Sequence, residues 1–152
     1  MKSILDFFFI LLYFPLVVFA YKPEDINKLK SSNSCWKCNF SQANLRNVNL
    51  EKSVLESADF KGADLRGATF RQAYLNKADF RYANLRGVVF DLAMLEGAKL
   101  SFLKLNKGNF MLANMKWSNL TGIQLRGANL KGARLDGAKL TGADLSEINL
   151  EK

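Results

Sequence analysis

At 152 residues, with no Pro/Ser-rich linker or composition break after residue 40, the chain is sized for one folded unit. Its 22 Lys and Arg outweigh 14 Asp and Glu, a formal charge of +8. Such a surface favours anionic partners, whether phosphate-rich polymers, acidic lipid surfaces or acidic proteins. Histidine is absent, which removes the commonest general base and the commonest metal ligand and counts against any enzyme, metal or cofactor reading.

The first stretch, Met1 to Ala20, has Lys2 near its start, an apolar run from Phe7 to Phe19 broken by Pro15, and Val18-Phe19-Ala20 before Tyr21. The run is shorter than the roughly 20 apolar residues a bilayer span requires. It therefore predicts a cleaved signal peptide over residues 1–20, and with it export to the periplasm or the exterior. The other reading is an uncleaved anchor, because Asp6 and the single Lys2 make a poor charged region. Cleavage removes one base and one acid, so the mature charge stays at +8.

Residues 21–37 read as a capping segment. Pro23-Glu24-Asp25-Ile26-Asn27-Lys28-Leu29-Lys30 predicts a short helix, with Pro early, acids first and bases last. Ile26 and Leu29 fall on one face, which is expected to cover the end of whatever follows.

Cys35-Trp36-Lys37-Cys38 comes next. Two nearby thiols in an exported protein form a candidate disulfide stapling the cap to the first repeat. The alternative has Cys38 filling a small inward slot and Cys35 buried in place of Ala. Two thiols without histidine do not make an ordinary structural zinc site.

From Phe40 onward every fifth residue is large and apolar, through Leu45, Leu50, Leu55 and Phe60 to Leu150, without an insertion. Two residues before each lies a small slot, most often Ala, as in Ala58, Ala63, Ala68 and Ala73. A spacing of five fits neither an α-helix of 3.6 residues per turn nor a strand of period two. The chain must turn once per repeat, and four right-angle turns make a coil of about 20 residues with both the large and the small residue inward.

Tracts such as Ala63-Asp64-Leu65-Arg66-Gly67, Ala128-Asn129-Leu130-Lys131-Gly132 and Ala143-Asp144-Leu145-Ser146-Glu147 closely resemble the A-(D/N)-L-x-x motif of the pentapeptide-repeat family. The resemblance covers residues 38–152 and implies an all-β fold, a right-handed quadrilateral β-helix, usually of bacterial origin. At about 4.8 Å between neighbouring backbones this gives about six coils and a rod of roughly 28 Å. The helical lead-in and the C-x-x-C before the first regular repeat also resemble many family members. A core so narrow is expected to leave no cavity for a small-molecule substrate, so no enzyme is expected.

In coils of 20, outward residues form columns, and one stands out: Arg46, Arg66, Arg86, Asn106 and Arg126. Its functional reading is an anion-binding stripe, since Arg gives bidentate contacts to phosphate and carboxylate. Its bland reading is a solvated ladder, because like charges about 5 Å apart in water repel by only roughly 1 kcal/mol. Mid-rod, Tyr82, Val89, Leu92, Met94, Phe102, Met111, Leu112 and Trp117 stand at outward positions, and the small slot loosens to Leu103 and Gly108. These are either one apolar contact belt or side chains on different faces, each covering its neighbours. The pattern runs to Leu150 without a cap, which makes end-to-end homodimerisation through the C-terminal coil one expectation and a frayed, solvated end the other. Asn39-Phe40-Ser41 and Asn119-Leu120-Thr121 match the glycosylation acceptor pattern only as a by-product of the repeat.

The leading functional expectation is a non-enzymatic binding or structural module of the cell envelope, presenting flat faces to a protein or an anionic surface. A DNA-mimicking topoisomerase-binding role, which the family resemblance implies for some members, is opposed by the +8 charge and the signal peptide, and no specific nucleic acid partner is expected. The third reading is a redox accessory protein using Cys35 and Cys38; the strand-helix setting of a thioredoxin-like site is missing from it.

Overall fold

Each quintet makes one corner. Behind most large inward residues the chain closes a turn by an i to i+3 bond, as where Ala43 N–H donates to Phe40 O (3.0 Å) and Ala58 N–H to Leu55 O (3.1 Å). The third residue of each turn has positive φ, as in type II turns: Lys37 (55°), Gln42 (59°), Gly62 (65°), Trp117 (58°) and Gly142 (70°). Glycine is common there because it enters the left-handed region without a Cβ clash. This computed structural model describes residues 21–150, and the expected leader Met1–Ala20 lies outside them. Among the described residues no helix is long and apolar enough to cross a membrane.

Four turns bring the chain back beside itself, and parallel bridges join residues one coil apart: Asn39 to Asp59, Asp59 to Asp79, Asn44 to Asp64, Asn49 to Thr69. Phe60 N–H donates up to Asp79 O (2.8 Å), Gly62 N–H to Arg81 O (3.0 Å), and Asp64 N–H down to Ala43 O (2.9 Å). Parallel pairing thus satisfies the backbone between coils, as an all-β solenoid requires. The four corners are named below by residues they carry, in chain order round a coil: the Trp117, Tyr82, Arg46 and Leu92 corners.

The core is a stack of inward side chains. Phe40, Leu55, Phe60, Leu65, Phe70, Leu75, Phe80 and Leu95 are fully buried, with Ala58, Ala63, Ala68 and Ala73 between them. Each buried Leu or Phe contributes about 1.5–3 kcal/mol relative to exposure. Phenylalanines line two opposite walls. Phe40, Phe60 and Phe80 stack at 5.1 and 4.9 Å on one wall, and Phe70, Phe90 and Phe110 at 5.3 Å on the other. Phe60 and Phe80 each meet Phe70 edge-on at 5.7 Å. Both arrangements suit the ring quadrupole.

The first helix, α1 (Pro23–Ser32), starts on proline with Glu24 and Asp25 in its first turn. It runs past Lys30 because Ser31 and Ser32 hydroxyls donate back to Lys28 O, and it ends where Asn33 turns left-handed and gives its N–H to Leu29 O. Leu29 is buried and Ile26 partly so against the first coil. Asp25 carboxylate accepts the Asn39 N–H (2.7 Å) and Lys22 N–H donates to Asn39 O (3.2 Å), so the segment closes part of the lower edge. The ladder begins at Ser34, which bridges to Val54, with Cys35 N–H donating to Val54 O (2.7 Å).

Candidate functional site

The arginine column stands on one corner, but its members differ. Arg66 binds Asp64 through two nitrogens, Nε to Oδ1 (2.8 Å) and Nη2 to Oδ2, and this guanidinium holds the Asp64 carboxyl at about 2. Arg126 donates to Glu147 Oε1 (2.6 Å), and its backbone N–H is taken by Asn106 Oδ1 (3.2 Å). Among the described residues Arg46 and Arg86 have no carboxylate partner. Along the column two ion-paired arginines thus alternate with two that make no ion pair among the described residues.

Directly above Arg86 the ladder opens. In the coil below, Leu65 N–H reaches Asn84 O (2.9 Å), Gly67 N–H reaches Arg86 O (3.0 Å) and Asn84 N–H reaches Ala63 O (2.9 Å). The same register one coil up calls for Tyr82 to Ser101, Leu85 to Lys104, Gly87 to Asn106 and Lys104 to Ala83, and none of these bonds forms. The Asn84 to Lys104 bridge is missing while Asp79 to Lys99 and Val89 to Asn109 hold on either side. It is the one interruption of the inter-coil ladder among the described residues.

The core explains the opening. At this wall the small slot carries Ala43, Ala63 and Ala83 in successive coils, then Leu103 and Ile123. An isobutyl group where lower coils hold a methyl leaves the coils too full to close, an overpacking effect. Ala83 is accordingly 9% exposed where Ala63 is wholly buried. The next slot holds Gly108, where a Cβ would meet Leu105 O and the Phe110 ring at 2.8 Å.

The result is a cleft of about 610 Å³ lined by residues 84–89 and 104–109. The expectation of a rod without a cavity is thus corrected: its inside is filled, but one corner is split. Arg86, Lys104 and Lys107 line the cleft with three asparagines, and the lining holds no carboxylate, hydroxyl, thiol or imidazole. Its cationic and amide donors suit an anionic or hydrogen-bonding group.

The apolar residues do not form one belt. Tyr82 and Phe102 share one corner, Leu92, Met111 and Leu112 stand on the opposite one, and Trp117 is on a third; Met94 and Val89 lie half-buried on flat faces between corners. Tyr82, Leu92, Phe102, Leu112 and Trp117 occupy the left-handed turn position. Three of them lie across a glycine one coil on: Phe102 on Gly122, Leu112 on Gly132 and Trp117 on Gly137. Each covers its own neighbour, which accounts for their exposure without a partner.

Cys35 and Cys38 are joined in a disulfide with Cα atoms 5.4 Å apart, and both are buried. A buried bridge offers no accessible sulfur for exchange, which removes the chemistry of the redox reading. Asp91 is a second buried feature. Its Oδ1 has no partner, Arg71 is 3.6 Å from its other oxygen, and burial pushes its carboxyl up.

Sequence comparison matches two profiles described as pentapeptide repeats, one to residues 37–72 and 109–146 and the other to residues 55–99. Among solved structures, a pentapeptide repeat protein (Rfr23) from the cyanobacterium Cyanothece 51142 is 23% identical, with a TM-score of 0.57 over 84% of this chain and 98% of that one. A pentapeptide repeat protein from the Arabidopsis thaliana thylakoid lumen is 30% identical over 81% of this chain and 72% of that one, with a TM-score of 0.47. QnrB1, a plasmid-mediated fluoroquinolone resistance protein, is 19% identical over 78% and 80%, with a TM-score of 0.46. No curated protein matches the chain.

Proposed function

The chain belongs to the pentapeptide-repeat family, and from that premise we propose that it is a non-enzymatic binding or structural module of the cell envelope, exported and directed at a protein or anionic surface. It does this as a right-handed quadrilateral β-helix of about six coils. The observation that carries the reading is the split basic corner. Arg46, Arg86, Lys104 and Lys107 are without carboxylate partners among the described residues, on a rod whose sequence charge is +8. Free cations on a rigid rod attract anionic partners, and that attraction falls with salt. The buried disulfide supports an oxidising compartment, in keeping with residues 1–20 as a signal peptide. Mass spectrometry of the exported protein would overturn the cleavage if Met1–Ala20 were retained.

The test is retention on heparin and on phosphatidylglycerol vesicles. Replacing Arg46, Arg86, Lys104 and Lys107 by Gln should weaken both and flatten their salt dependence, while Arg66→Gln should matter less, since Arg66 is already neutralised. Unchanged retention in the fourfold variant would end this reading. A second copy of the chain is a further partner. In the last described coil Leu135, Leu140 and Leu145 are half-buried and Leu150 is 56% exposed. Light scattering showing a monomer at high concentration would exclude it.

A further inference from the structure

We infer that the opening between residues 81–88 and 101–108 is a slot for an extended acidic peptide, which completes the interrupted ladder and sets its carboxylates against Arg86, Lys104 and Lys107. This deepens the binding reading above and rests on it. The lower edge offers the N–H groups of Tyr82, Leu85 and Gly87 and the carbonyl of Ala83. The upper edge offers the N–H group of Lys104 and the carbonyls of Ser101, Lys104 and Asn106. Every one of these groups is paired at the equivalent position of other coils, so the slot is a sheet edge facing a second sheet edge.

The mixture of donors and acceptors selects the occupant. A simple anion would answer the amides of Leu85 and Gly87 but would face the carbonyls of Lys104 and Asn106, which repel it. A peptide backbone carries donors and acceptors in alternation and answers both edges, as in strand addition to an open sheet. The charge selects the side chains. The lining holds three bases and no acid, so carboxylates alternating along the strand would be drawn in and Lys or Arg would be rejected. Strands pair about 4.8 Å apart, so a guest strand spreads its two neighbours to about twice that spacing. The intact bridges Asp79 to Lys99 and Val89 to Asn109 bound the segments that must move.

The experiment is amide hydrogen exchange by NMR on the full chain, with three probes: the peptide Glu-Val-Glu-Val-Glu-Val, its Lys-Val counterpart and inorganic phosphate. In the free chain Leu85, Gly87 and Lys104 should exchange about 100-fold faster than Leu65, Gly67 and Gln124, their equivalents in closed coils. The Glu-Val peptide should slow them about tenfold or more, and the other probes should not. Leu103→Ala restores the small slot without altering charge. It should protect Leu85 and Gly87 in the free chain and abolish peptide binding while heparin retention persists. Should that variant fold poorly, Arg86→Gln with Lys107→Gln keeps the core and should weaken the peptide about tenfold. Equal protection of Leu85 and Leu65 in the free chain would overturn the slot. Peptide binding without slowing at these amides would do the same, and slowing by phosphate alone would reassign the site to a simple anion. Loss of heparin retention with the peptide still bound would sink the surface reading and leave the slot standing.

Discussion

Trp117 and Gly137 offer a measurement of how the outer surface of this solenoid is held. Trp117 stands on a left-handed residue and lays its indole over Gly137, so that a Cβ there would sit 2.7 Å from Cδ2. Gly142 has the same φ of 70° but nothing within 4 Å of the position a Cβ would take. Gly142→Ala therefore reports the left-handed penalty of an L residue alone, about 1–2 kcal/mol. Gly137→Ala adds the cost of lifting the indole. Trp117 is 67% exposed, so about a third of a side chain of roughly 250 Å² is covered, worth about 2 kcal/mol at ~25 cal/mol per Å². Gly137→Ala should thus cost about 3–4 kcal/mol, and in a Trp117→Ala background it should fall to the Gly142→Ala value. Urea unfolding followed by circular dichroism reads the cost. Acrylamide quenching of Trp117, in a Trp36→Phe background, reads the displacement and should rise only for Gly137→Ala. Equal costs for the two glycines, with unchanged quenching, would refute the idea that glycine seats the bulky residue one coil below it.

Phe70 contacts Phe60, Phe80 and Phe90, so Phe70→Ala should cost about 3–5 kcal/mol in thermal or urea unfolding, whereas Phe70→Leu, a residue the same wall accepts in other coils, should cost about 0.5–1.5. Asp64 titrates at about 2 because Arg66 binds it, below the unfolded value. The pair's contribution is therefore full above about pH 4 and is lost as pH falls through about 2, and Arg66→Gln should return Asp64 to the ordinary carboxylate range in an NMR titration. The native chain should show no titratable thiol, and reduction in denaturant should release both. Replacing Cys35 and Cys38 by Ala should cost about 2 kcal/mol and speed hydrogen exchange at Phe40 but not at Leu125, because coils contact only their neighbours.

The architecture was legible because one period governs it: Leu and Phe at every fifth residue and Ala two before them set corner, core and register together. The turn conformation was written just as openly, in the glycines at 62, 67, 87, 97, 122, 127, 132, 137 and 142, but the inward pattern alone does not direct attention to it. Once that position is identified, Tyr82, Phe102 and Trp117 cease to look like a belt, since residues five apart leave the rod at successive corners and only those twenty apart share one. The arginine column could be drawn from register. Its split into paired and free members depends on whether a carboxylate lies within reach, two residues back for Arg66 and one coil on for Arg126.

The slot has a different origin, in the core instead of the surface. Phe40, Phe60 and Phe80 fill one wall of the lower coils, and in the next coil that wall changes to Leu100. The smaller residue there frees less volume than the adjoining slot adds with Leu103 and then Ile123, while Gly108 surrenders the volume claimed by Phe110. Two packing schemes, aromatic below and aliphatic above, therefore meet between residues 80–88 and 100–108, and the backbone opens on the side where their shapes differ most. Above the junction the aliphatic scheme is consistent again, and Leu105 N–H finds Gln124 O at 2.8 Å. A change of inward residue type is thus what exposes donors and acceptors outward. For a solenoid whose neighbouring coils otherwise satisfy one another, such a junction is the place where a strand from another chain can pair.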